Sequence, residues 1–131
     1  MKSLFLLGAL LLAVILSSSS AVTSNASSSA RKQKAVTQFN DPVRLMGVPL
    51  KGQYLFVHDD AAMARGEACT FVYKGDVEIA GKLVVSFHCT PVQRLKVDSF
   101  VVRTERTNGF NELREFQFDG DAEAHMVPLT K

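Results

Sequence analysis

The chain has 131 residues and a formal net charge of +2; it is 47% hydrophobic and 21% charged, with 9 Phe, 2 Tyr, 2 Cys and no Trp. That apolar content excludes a disordered chain, two cysteines exclude a dense disulfide scaffold, and the length allows one small domain. With Lys2 set aside, 14 basic residues face 13 acidic ones, so no basic stripe suits nucleic acid or anionic lipid.

Chain order begins with an export signal. Leu4 to Leu16 carries no charge, follows Lys2, and is followed by Ser17 to Ser20 and Ala21. An apolar run of this length is a signal-peptide core, well short of the roughly 20 residues that span a bilayer as a helix. Residues 1–21 are therefore expected to be a signal peptide cut after Ala21, with Ser28-Ser29-Ala30 as a second acceptable site. The mature chain is expected to be secreted or periplasmic, without a transmembrane segment. Residues 22–38 are rich in Ser, Thr and Ala, lack apolar periodicity and read as a flexible tail. Asn25-Ala26-Ser27 matches a glycosylation sequon, a pattern short enough to arise by chance.

Residues 39–131 read as the folded domain. Six runs rich in β-branched and aromatic residues alternate with Gly, Pro and Asp breaks: residues 50–58, 69–74, 82–90, 97–106, 112–118 and 122–128. The fold class this implies is all-β, a single antiparallel domain of about six strands forming a small barrel or a two-layer sandwich. One helical turn is expected from Asp60 to Gly66.

Hairpin registers follow from keeping apolar side chains on one face. Aligning Cys69 with Cys89 sets Phe71 against Phe87 and Tyr73 against Val85. Two opposed cysteines in an exported chain are then expected to form a disulfide. Around Thr107-Asn108-Gly109-Phe110, a tight two-residue turn would set Val102 against Glu115. A bulge in the turn instead sets Phe100 against Phe118, Val102 against Phe116, Arg103 against Glu115 and Arg106 against Glu112. The expected core is Phe56, Phe71, Val85, Phe87, Phe100, Val102, Phe116 and Phe118.

No nucleophile elbow, His-Glu-x-x-His, Cys-x-x-Cys or phosphate-binding glycine loop is present, which points away from an enzyme and implies no cofactor. A simple meander does bring His58, Asp59, Asp60, Glu67 and His88 to one rim, with Asp119 and Asp121 nearby and His125 following in the last strand. The residues singled out for ligand binding are His58, Asp59, Glu67 and His88. Polar residues at strand ends ordinarily serve turns and caps. Two functional readings stand beside that one: binding of a small molecule or a cell-envelope protein, and a Zn²⁺ or Cu²⁺ site or hydrolytic centre built from histidine and carboxylate. His58-Asp59 is a poor acid–base pair, because adjacent strand residues point to opposite faces.

The run Gly52-Gln53-Tyr54-Leu55-Phe56-Val57-His58-Asp59-Asp60, with Met63 to Cys69, Val84 to Val92 and Val101 to Arg106, resembles small exported bacterial proteins of uncharacterised function. The resemblance covers most of residues 48–128. It implies an exported bacterial protein and brings no activity, cofactor or partner with it.

Overall fold

Alternating exposure defines the first element. The computed structural model describes residues 30–130, and its first strand, β1 (Lys32–Leu45), turns Gln33, Ala35, Thr37 and Phe39 inward and Lys32, Lys34, Val36 and Gln38 outward. From Lys32 onward the stretch read as a tail is therefore a strand, paired with its neighbour from Lys32–Asp59 to Leu45–Val48. The expected signal peptide, the sequon and residues 22–29 lie outside the described residues. A bulge between Phe39 and Val43 takes up Pro42, which has no N–H to give a ladder.

The remaining elements are β2 (Val48–Asp59), α1 (Asp60–Ala64), β3 (Thr70–Lys74), a short 3-10 turn (Ala80–Lys82), β4 (Leu83–Phe87), β5 (Thr90–Gln93), β6 (Val101–Thr107), β7 (Phe110–Gln117) and β8 (Glu123–Met126). They form one sheet in the order β4-β3-β2-β1-β7-β8-β5, with β6 paired to β7 outside that path. The domain is mostly β, as expected, but its sheet has eight strands and is mixed, because β1 meets β7 in parallel at Arg44 and Glu112. This corrects the six-stranded antiparallel meander.

One corner shapes the sheet. β4 and β5 stand at opposite ends of the strand order, yet only His88 and Cys89 separate them in sequence. Two intervening residues span no more than about 10 Å. The sheet must therefore curl into a half-barrel whose two edges meet at this seam.

Both hairpin registers differ from expectation in instructive ways. β3 and β4 pair Thr70 with Phe87, Phe71 with Ser86 and Val72 with Val85, one residue off the Cys69–Cys89 alignment. Phe87 consequently enters the core, whereas Phe71 packs on the other face with Leu55, Val57 and Tyr73. In the β6–β7 hairpin Val102 does face Phe116 and Arg103 does face Glu115. The irregularity falls between Arg103 and Thr104, not in the turn, so Arg106 meets Asn111 and not Glu112. The turn is the tight version, with Asn108 at φ 53° and Gly109 at φ 82°, a mirror-type turn that suits the twist of a hairpin.

Phe39, Leu45, Leu50, Phe56, Val72, Phe87, Leu113, Phe116 and Phe118 fill the concave face, with Val85, Phe100 and Val102 half-buried against them. On the far side of β7 the buried Glu115 accepts from Arg94 (Nη2 at 2.7 Å) and from Arg103 (Nη1 at 2.7 Å), and Arg103 also donates to Gln117 Oε1 at 2.9 Å. Charge-assisted bonds of this kind contribute about 1–3 kcal/mol. Glu115→Gln is expected to lose about that much in urea unfolding, and an unchanged midpoint would show the cluster to be energetically idle.

Candidate metal centre

Four side chains with metal-ligand chemistry meet at the seam end of the core. His58 is the last inward residue of β2, Cys69 precedes β3, Cys89 precedes β5 and His125 lies in β8; all four are 0% exposed. The local chain explains the convergence. His58 pairs with Thr70, which places Cys69 beside the end of β2, and the Cys69 N–H donates to Phe87 O at 3.0 Å, where β4 stops. The chain then bends through His88 so that the Cys89 N–H donates to Cys69 Sγ at 3.2 Å. From the other side β8 presents His125, stacked on Phe116 at 5.2 Å between ring centres.

The two sulfurs are free thiols 3.0 Å apart, not a disulfide, whose bond is about 2.05 Å. The expected oxidised pair is corrected accordingly: with the β3–β4 ladder one residue out of that alignment, the sulfurs meet across a chain bend. Cys89 Sγ lies 3.6 Å from His125 Nδ1, and the rings of His58 and His125 are 4.0 Å apart at 34°. One ligand atom from each of His58, Cys69 and Cys89 lies within 4.8 Å of the others.

The cluster is under-satisfied. Both ring nitrogens of His58, His125 Nε2 and Thr70 Oγ1 are buried without a hydrogen-bond partner. Most buried polar groups in proteins are paired, so four such atoms beside two thiols need a physical reason. Burial shifts the protonation equilibria against charge. His58 is held below the usual imidazole range by desolvation, with the Arg31 guanidinium adding to the effect and Asp60 opposing it. His125 is lowered to about 4 by burial and by its neighbour His58. Cys89 is pushed up to about 12 by burial and by its contact with Cys69. At neutral pH the centre thus holds two neutral imidazoles, with Cys89 a thiol.

A polar lid closes it. His58 Nδ1 lies 3.2 Å from Asp60 Oδ1, Arg31 Nε 3.5 Å from Asp60 Oδ2, and Arg31 Nη2 2.9 Å from Asp121 Oδ2. Gln33 Nε2 also donates to Asp121 Oδ2 at 3.2 Å.

The rim residues separate. Only His58 joins the cluster. Asp59, on the opposite face of β2, caps α1 by accepting from the N–H groups of Ala61 and Ala62 at 2.9 and 3.2 Å. Glu67 is exposed and paired with Arg65 at 3.0 Å. His88 is exposed and donates from Nδ1 to Glu67 O at 2.8 Å, with that nitrogen 3.9 Å from Cys69 Sγ. The thiols in a ligand role are what sequence reasoning missed, and His125, placed near the rim, was left out of the ligand set. The available signal was scarcity: the chain has three His and two Cys, and four of these five converge. Among the described residues no pocket is found. Comparison with known protein families, curated proteins and solved structures finds no match.

Proposed function

We propose that this chain is an exported metal-binding domain that holds one zinc-class divalent ion through His58, Cys69 and Cys89, with His125 as the fourth ligand. The observation that carries the reading is the convergence of three buried ligand atoms within 4.8 Å of one another, with both nitrogens of His58 left unpaired. Ligand distances to zinc of about 2.3 Å for sulfur and 2.0 Å for nitrogen imply a tetrahedral S···N edge of about 3.5 Å. The 3.6 Å between Cys89 Sγ and His125 Nδ1 is close to that value. Charge selects the class of ion. Two thiolates neutralise a divalent cation, whereas with a monovalent one they would leave a net negative charge buried, at high desolvation cost.

Asp60 is placed to give the support such ligands ordinarily have, although its Oδ1 and His58 Nδ1 do not form a hydrogen bond here. A metal-bound imidazole usually gives its other N–H to a carboxylate, which fixes its orientation, and Asp60 Oδ1 stands 3.2 Å from His58 Nδ1. His58 would then ligate through Nε2. Since thiols must lose their protons to bind, uptake should release protons and weaken in acid.

Titration of the reduced protein with Zn²⁺, and with Co²⁺ as a spectroscopic stand-in, tests this. One equivalent is expected, with sulfur-to-cobalt charge transfer that disappears in a Cys69→Ser, Cys89→Ser double variant. Asp60→Asn should keep the stoichiometry and lose roughly 10–100-fold in affinity. A folded wild-type protein that takes up neither ion at micromolar concentration would refute the reading.

A further inference from the structure

The two sulfurs of the centre can serve two incompatible ends. At 3.0 Å they stand between the bonded separation of about 2.05 Å and the S···S edge of about 3.8 Å in a tetrahedral zinc site. A displacement on the order of 1 Å in either direction reaches one arrangement or the other. We propose that Cys69 and Cys89 form a redox gate on the metal centre: as a dithiol they bind the ion, and as a disulfide they exclude it. The gate rests on the metal reading above and adds the regulation of that site.

Placement makes the switch local. Neither cysteine lies inside a strand; Cys69 precedes β3, and Cys89 belongs to the two-residue link at the seam. Their sulfurs can part or close while the ladders on either side keep their pairing. Access is local too. The exposed ring of His88 stands with Nδ1 3.9 Å from the buried Cys69 Sγ, and the reagent's approach is assigned to that side.

The oxidant is a small-molecule disulfide of the glutathione class. Cys69 thiolate attacks one reagent sulfur, the reagent S–S bond breaks, and one reagent thiolate leaves. Cys89 then attacks the Cys69 sulfur of the mixed disulfide, its thiol proton passing to the departing reagent thiolate, and expels the second reagent half. Two protein thiols lose two electrons, and the reagent becomes two thiols that take up the two protons. Metal and oxidant compete for the same sulfurs, so by linkage each suppresses the other.

The test compares reduced protein with protein oxidised by glutathione disulfide, the product being verified by loss of two hydrogens in its mass and by a native circular-dichroism spectrum. Reduced protein should bind one Zn²⁺. Oxidised protein should bind it more than about 100-fold more weakly, since even outer-shell partners of metal ligands are worth roughly 10–100-fold. Dithiothreitol should restore binding, and prior loading with Zn²⁺ should slow the oxidation. Equal Zn²⁺ affinity in both redox forms would overturn the gate and leave the metal centre standing. So would oxidation that proceeds equally fast with Zn²⁺ bound, a pair that resists the reagent altogether, or an oxidised form that unfolds. Failure of the reduced, folded protein to bind Zn²⁺ would remove the centre and the gate together.

Discussion

Phe116→Ala is expected to destabilise the domain by about 3–5 kcal/mol, the usual cost of removing a buried phenyl ring. The ring is fully buried and sits at the middle of an aromatic group, 5.6 Å from Phe56, 5.9 Å from Phe118, and 6.3 Å from both Phe87 and Phe100. It joins β2, β4 and β7, so the void cannot close by moving one strand alone. Total stability for a small domain is on the order of 5–15 kcal/mol, so most of it could be lost in one substitution. Phe110 provides the contrast within the same strand. It is half exposed and carries Arg44 over its face at 4.2 Å, an arrangement worth about 1 kcal/mol or less at the surface. Urea unfolding of the two alanine variants should separate them by at least about 2 kcal/mol. Similar midpoints would mean that the assigned core is wrong.

Acidification of the metal-free protein should bring the next largest loss. His125 titrates near its ordinary 6.5 when unfolded and at about 4 when folded, so the unfolded chain binds the proton first. Stability from this group is complete above pH 6.5, declines as the pH falls through the interval, and levels off below about 4. At 1.36 kcal/mol per pH unit the loss is about 3 kcal/mol. His58, lowered in the same direction by burial, adds to it. Glu115, held below the usual carboxylate range by its bonds to Arg94 and then by Arg103, contributes in a different window, losing its stabilisation only as the pH drops past about 4.5. Thermal melts from pH 7 to pH 4 should therefore fall well before carboxylates protonate. A His125→Phe variant, whose ring can keep the stack on Phe116, should flatten that early slope; a slope unaltered by it would assign the titration elsewhere.

How much of this was legible in the sequence varies with the element. Strands whose inward positions are aromatic or branched, such as those of Phe56 and Phe116, announce themselves by alternation. β1 does not, because Gln33, Ala35 and Thr37 are the residues it turns inward, and a period-2 pattern of small and polar side chains resembles a linker. Its hairpin to β2 was hidden for a related reason. Met46 and Gly47 adopt the same positive φ as Asn108 and Gly109, but Met lacks the propensity that marks Asn-Gly as a turn. The helical turn was visible from Gly66 at φ 72°, although Asp59 and not Asp60 caps it. At the metal centre, His58 was found through its strand end, while Cys89 and His125 depend on the curl of the sheet. β1 is the middle strand of that curled sheet, so missing it concealed half of the site.

The parallel contact between Arg44 and Glu112 also bears on how the chain reaches this structure. β1 pairs at once with its sequence neighbour β2, but its other edge must wait for β7, which is made much later and arrives only after the long loops between them have closed. Pairings of such high sequence separation slow folding, because the entropy of closure is lost before contacts repay it. In the interval the β1–β2 hairpin shows an open strand edge to other copies of the chain. Alternating Lys32 and Lys34 at its start, drawn to Glu78 at 2.8 and 2.6 Å in the finished fold, would at that stage be unpaired charges on the waiting strand. Like charges there discourage edge-to-edge association. The basic step that looked like part of a linker thus sets like charges at the start of a strand whose far end is still waiting for its last neighbour.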